Sequence, residues 1–254
     1  MIRELVGAEL IRPEKHFRWR GGEITRMEGF TDAVFAFAVT LLVVSLEVPK
    51  TYSELIAAMK GFIAFAICFA LLVQIWYQHY VYARRYGLQT RYAITLNFIL
   101  LFVVLFYVYP LKFLFTLSVS GLSGGALAVD RHILDIQDTQ VATLIVIYAA
   151  GFTAVFGVFA LLHYYAYGKR SELNLDEYES IRTRSSFVEN TADAVLGTCI
   201  VLTAKLLPAR IGMYSSLLFV LIGLNHFIIG WIFGKRERLA LEKMQAVSRA
   251  AATP

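Results

Sequence analysis

The side chains in this sequence whose types and settings could do chemistry are acids, bases and amides placed inside apolar runs. The stretch from Arg26 to Leu46 reads R-M-E-G-F-T-D-A-V-F-A-F-A-V-T-L-L-V-V-S-L. It is apolar enough to cross a bilayer, yet Arg26, Glu28 and Asp32 lie at its first end. A charge inside hydrocarbon costs at least a few kcal/mol, so such residues mark network or functional positions. An isolated buried carboxylate protonates rather than stays charged, so Asp32 needs a partner. Arg26 stands six residues before it, outside the i,i+4 relation that places two side chains on one helical face. Partners must therefore come from other helices at equal depth. At 1.5 Å per residue Asp32 lies about 9 Å beyond Arg26. Trp76 and His79 lie eight and five residues before Arg84, and Asn97 lies six residues after Arg91. All reach a comparable depth, and hydrogen bonds among Arg26, Asp32, Trp76, His79 and Asn97 are expected. Such a network either locks helices together or relays protons, as intramembrane Asp/His pairs do in transporters. Tryptophan and asparagine do not titrate, which favours locking.

A second set, Glu189, Asn190, Asp193, Asn225 and His226, falls in the two last apolar runs at depths that permit contact. It reads as satisfied interior polar groups, with an ion or proton site as the alternative. Enzyme signatures such as H-E-x-x-H, a phosphate loop or C-x-x-C are absent from the sequence. Its five histidines make no ligand spacing on one helix. Of these, His132 with Asp130 and Asp135 reads as part of a solvated loop rather than a cation site. The expectation is a non-enzyme with no metal and no cofactor.

The elements that position these groups follow from composition. The chain has 254 residues, 58% hydrophobic and 17% charged, with a mean hydropathy of +0.60. A soluble domain of this length is nearer 45–50% apolar and about 25% charged. This is an all-α integral membrane protein, with spans expected at 27–48, 55–83, 92–115, 140–168, 186–207 and 212–234. Cys68 and Cys199 lie inside apolar runs and fill space. The pI near 9.2 could suggest a nucleic-acid partner, but the positions of the charges argue against one. Of the 24 lysines and arginines, 18 fall in the amino arm through Arg26, the 2–3 and 4–5 connections, and the tail. Positive residues favour the cytoplasm, so six spans with both termini inside is self-consistent. The domains expected are a cytoplasmic arm (1–25), a transmembrane domain (26–234) and a cytoplasmic tail (235–254), in the cell membrane. The basic residues set orientation and touch membrane lipid. Residues 119–138 form the longest external connection, with a short helix expected near 126–136. A T-V-G-Y-G run, the carbonyl filter of ordinary potassium channels, is missing.

At 100° per residue Phe37, Leu41 and Val44 share one side of the first span, with Thr40 on the flank and Asp32 about 130° away. By periodicity alone this stripe is ordinary packing. Arg26, Phe30, Thr31 and Asp32, followed by Ala33-Val34-Phe35-Ala36 and Thr40-Leu41-Leu42, form the pattern R-x-x-x-F-[S/T]-D…T-L-L. That pattern resembles the signature of the endolysosomal potassium channels and their bacterial relatives, and Trp76, His79 and Asn97 match the W-x-x-H and Asn on the next two helices. The resemblance implies a homotetramer whose first helices line a central pore. Phe37 would form its innermost constriction, Leu41 the next and Val44 the outermost, with Thr40 beside them. Potassium would be the permeant ion, with no other small-molecule substrate. The family's Ser is Thr31 here, and its usual Ile or Leu is Phe37. Outside the resemblance, a proton-coupled carrier using Asp32/His79 and Asp193/His226, or a scaffold without transport, fits the residues too.

Overall fold

A computed structural model describes residues 16–44, 50–124, 126–127 and 137–251. Among them the chain is all helical. The helices are α1 Arg26–Val44, α2 Tyr52–Lys60, α3 Phe62–Tyr86, α4 Arg91–Leu122, α5 Asp138–Gly168, α6 Glu177–Leu206, the short α7 Ala209–Gly212, and α8 Leu221–Ala251, which a 3₁₀ segment Met213–Val220 precedes. Five of them, α3 to α6 and the last helix with part of its 3₁₀ lead-in, are long and apolar enough to cross a membrane. The expected short helix near 126–136 falls largely outside the described residues.

Boundaries follow from local chemistry. Thr25 and Glu28 form a reciprocal cap: the Glu28 N–H donates to Thr25 Oγ1 at 3.1 Å and the Thr25 N–H to Glu28 Oε2 at 2.7 Å. The expected second span is divided at Gly61 into α2 and α3. Gly87 ends α3 with φ +58°, the left-handed geometry that glycine adopts without penalty. Asp176 and Glu179 build the capping box of α6. The last helix runs unbroken from the apolar segment to Ala251, so the tail expected from 235 onward continues that helix.

The α5–α6 hairpin is the most extensively packed pair; α4 lies against α5, and α8 against α6. Helix α1 packs on α3 and α4. Between apolar helices in lipid the hydrophobic effect supplies little, so close packing and interhelical hydrogen bonds carry the association. Tyr107 of α4 illustrates the first. Its hydroxyl accepts the Gly151 N–H of α5 at 2.7 Å, and a Cβ at Gly151 would stand 1.8 Å from the ring.

Residues 16–25 of the arm are seated in the helical body. Phe17 is only 1% exposed, with the Arg85 guanidinium 4.8 Å from its ring centre. Arg20 is paired with Glu179 and donates to the Leu173 carbonyl at 2.7 Å. The backbone N–H groups of Arg20 and Gly21 both donate to the Arg84 carbonyl at 3.0 Å. Only a glycine fits at 21, where a Cβ would lie 2.8 Å from the Ala83 oxygen.

Candidate functional site

Helix α1 divides its faces sharply. Thr31, Phe35, Ala38 and Leu42 are buried against its own subunit, at i, i+4, i+7 and i+11, which is one side of a helix. Gly29, Phe30, Asp32, Ala33, Ala36, Phe37, Thr40 and Val43 are exposed, so Asp32 is not the buried carboxylate expected from the sequence. Phe37 is 55% exposed. At 100° per residue the uncovered arc centres near Ala33 and Thr40. Leu41 sits half-buried on its border. The side chain of Val44 lies outside the described ones. Thr40 Oγ1 donates to the Ala36 carbonyl at 2.9 Å, which satisfies the hydroxyl proton and leaves oxygen lone pairs on the open side.

The polar residues form two pairs rather than one network. Trp76 Nε1 donates to Asp32 Oδ1 at 2.7 Å, joining α3 to α1. His79 Nε2 and Asn97 Oδ1 lie 2.9 Å apart, both buried, joining α3 to α4. Arg26, expected among them, is exposed and makes no hydrogen bond or ion pair among the described residues. Its place at the start of α1 puts it at the helix mouth, too far along the axis to turn back onto Asp32. Phe30 stacks edge-on against Phe98, with centroids 5.6 Å apart. Thr31 Oγ1 is buried with no hydrogen-bond partner.

Glu28 is the residue the sequence reading left unassigned. Besides capping α1 it faces Arg84 at 3.6 Å, with both side chains mostly buried. The T-x-x-E spacing at Thr25–Glu28 signals the cap, whereas nothing local points to Arg84. In the second set Asp193, fully buried, accepts from Asn225 Nδ2 at 2.8 Å and faces His226 Nε2 at 3.0 Å. Glu189 stands apart, accepting from Ser185 Oγ at 3.0 Å. Among the described residues no group of three His, Cys, Asp or Glu side chains is placed to hold a metal ion.

An all-helical chain with several apolar spans, and one helix presenting an apolar, hydroxyl-bearing face away from its own subunit, belongs to the class of polytopic membrane proteins. A family model described as endosomal/lysosomal potassium channel TMEM175 matches residues 26–107. A potassium channel of Marivirga tractuosa is 40% identical over 234 residues, covering 89% of this chain and 94% of that protein. A potassium channel of Chamaesiphon minutus is 35% identical over 66 residues, or 23% of this chain and 32% of that protein. The crystal structure of a variant of the potassium channel MtTMEM175, in complex with a nanobody–MBP fusion protein, superposes with a TM-score of 0.79 at 38% identity, covering 89% of this chain and all of that chain. The chain belongs to the TMEM175 potassium channel family.

Proposed function

We propose that this chain is the subunit of a homotetrameric channel selective for potassium over sodium, with six transmembrane helices, both termini in the cytoplasm of a cell-membrane protein, and α1 lining the central path. The observation that carries this reading is the uncovered face of α1, because an amphiphilic helix that leaves Phe37 and Thr40 exposed in its own subunit has that face available for copies of itself. Four Phe37 rings, with Leu41 and Val44 further out, narrow the path until an ion sheds part of its hydration shell. Potassium, the more weakly hydrated ion, loses less on entering. Thr40 oxygens offset some of that cost, and the apolar rings close the path by dewetting. The Asp32–Trp76 pair holds α1 against α3, and the His79–Asn97 pair holds α3 against α4. Potassium ions are the only non-protein species the mechanism uses.

The Asp193–His226 contact at 3.0 Å favours a second reading, a proton-coupled carrier. Flux from purified protein in liposomes separates the two. A channel gives passive flux along either gradient, with a zero-current voltage that follows potassium. Saturable flux driven by a pH step would reject the channel.

A further inference from the structure

Two cavities outside α1 meet at one residue, and together they have the anatomy of a phospholipid site. The first, of about 240 Å³, lies at the C-terminal end of α3 and the N-terminal part of α6, with His163 of α5 in its wall and Trp19 of the arm beside it. It is polar. Arg85 and His163 in its wall are each 5% exposed, and Asn190 is 3% exposed. Arg182, which also faces Glu237 at 3.5 Å, and Glu189 complete it. The Asn190 amide nitrogen donates to the Ser186 carbonyl at 2.7 Å, which fixes the amide's orientation. Its Oδ1 is then a buried acceptor with no partner.

The second cavity, of about 260 Å³, is apolar, with walls that include Leu72, Val104, Val108, Phe152 and Val155, and an edge formed by Ile222 of α8. Gln78 lines both cavities. Arg85, Gln78 and Leu71 follow one another along α3 at seven-residue steps, so the two cavities together extend about 21 Å along the helix. That matches a headgroup plus the roughly 15 Å of hydrocarbon in one leaflet.

The geometry points to a bound phospholipid bearing a primary amine, the phosphoethanolamine headgroup, in this cleft. Its phosphate meets the Arg85 and Arg182 side, where guanidinium donors match phosphate oxygens. Its ammonium meets the Glu189 carboxylate, which takes one hydrogen bond from Ser185 Oγ, and the orphaned Asn190 Oδ1, which has no donor. One acyl chain follows Gln78 into the apolar cavity. A purely anionic headgroup would leave Asn190 Oδ1 unanswered, and a choline headgroup has no N–H to give it.

Native mass spectrometry of the detergent-purified full chain, exchanged with dioleoyl phosphatidylethanolamine, phosphatidylcholine or phosphatidylglycerol, tests this independently of any ion flux. The expected result is retention of the ethanolamine lipid about tenfold over the choline lipid, the factor that one charge-assisted hydrogen bond supplies. Glu189→Gln should erase that preference, and Ile222→Trp should weaken retention of all three lipids. Equal retention of the ethanolamine and choline lipids by the wild-type chain overturns the proposal, and needs no variant to fold. Displacement by water-soluble phosphoethanolamine would assign the chamber to a free ligand and overturn the lipid. Cross-linking of Gln74→Cys, in the wall of the apolar cavity, to another subunit would give the cleft to a neighbouring copy and overturn it as well.

Discussion

The Trp76 indole nitrogen stands 2.7 Å from a carboxylate oxygen of Asp32, and this bond ties α1 to α3 across 44 positions of chain. It fixes the rotation of α1. With Asp32 held toward α3, the Thr31–Phe35–Ala38–Leu42 row turns inward and Phe37 and Thr40 turn out. An interhelical hydrogen bond in a membrane protein is worth about 0.6 kcal/mol on average and up to about 1.7 kcal/mol. Trp76→Phe and Asp32→Asn should each lower the melting temperature of the detergent-purified protein. A double-mutant cycle should return a coupling of about 0.6–1.7 kcal/mol. Additive losses would mean that the two side chains do not cooperate.

Phe37→Ala addresses the pore directly. Removing the ring from the uncovered face opens the narrowest expected constriction while leaving the buried row of α1 untouched. Potassium flux into liposomes should rise severalfold and the preference over sodium should fall. Wild-type flux and selectivity in both Phe37→Ala and Leu41→Ala would take these rings out of the permeation path.

The α4–α5 crossing makes a sharper demand. A single methyl at Gly151 would lie within the Tyr107 ring, and overpacking a tight core costs about 1–3 kcal/mol or more. Gly151→Ala should therefore reduce folded yield in size-exclusion chromatography. Adding Tyr107→Leu should recover much of it, because the three atoms nearest the added methyl all belong to that ring. Failure of the second change to help would place the cost elsewhere in α5.

Arg20 and Glu179 form the mostly buried pair that seats the arm, with side chains 12% and 2% exposed. Breaking a buried pair from one side costs about 3–5 kcal/mol because the other charge is left behind. Glu179→Gln should therefore be markedly destabilising in thermal unfolding. Arg20→Met combined with Glu179→Leu should lose less than the sum of the two single changes, because the second removal leaves no charge behind.

The sequence by itself determined the helical class, the approximate spans and the depth at which polar groups meet. Those properties depend on run length, rise per residue and local caps, all written within a few neighbouring positions. Thus Asp32, Trp76, His79 and Asn97 could be assigned a common level from counting alone. The tertiary structure decided who pairs with whom. Depth ranks residues along an axis but says nothing of azimuth, so it could not tell that His79 takes Asn97, that Trp76 takes Asp32, or that Arg26 takes neither. Nor could composition show that the Arg20 guanidinium and the Arg18 backbone N–H both meet Glu179 some 160 positions away. That contact exists because Asp176 and Asn174 turn the α5–α6 connection back toward the arm. Nothing local encodes a meeting between surfaces that the chain brings together only after its helices have packed.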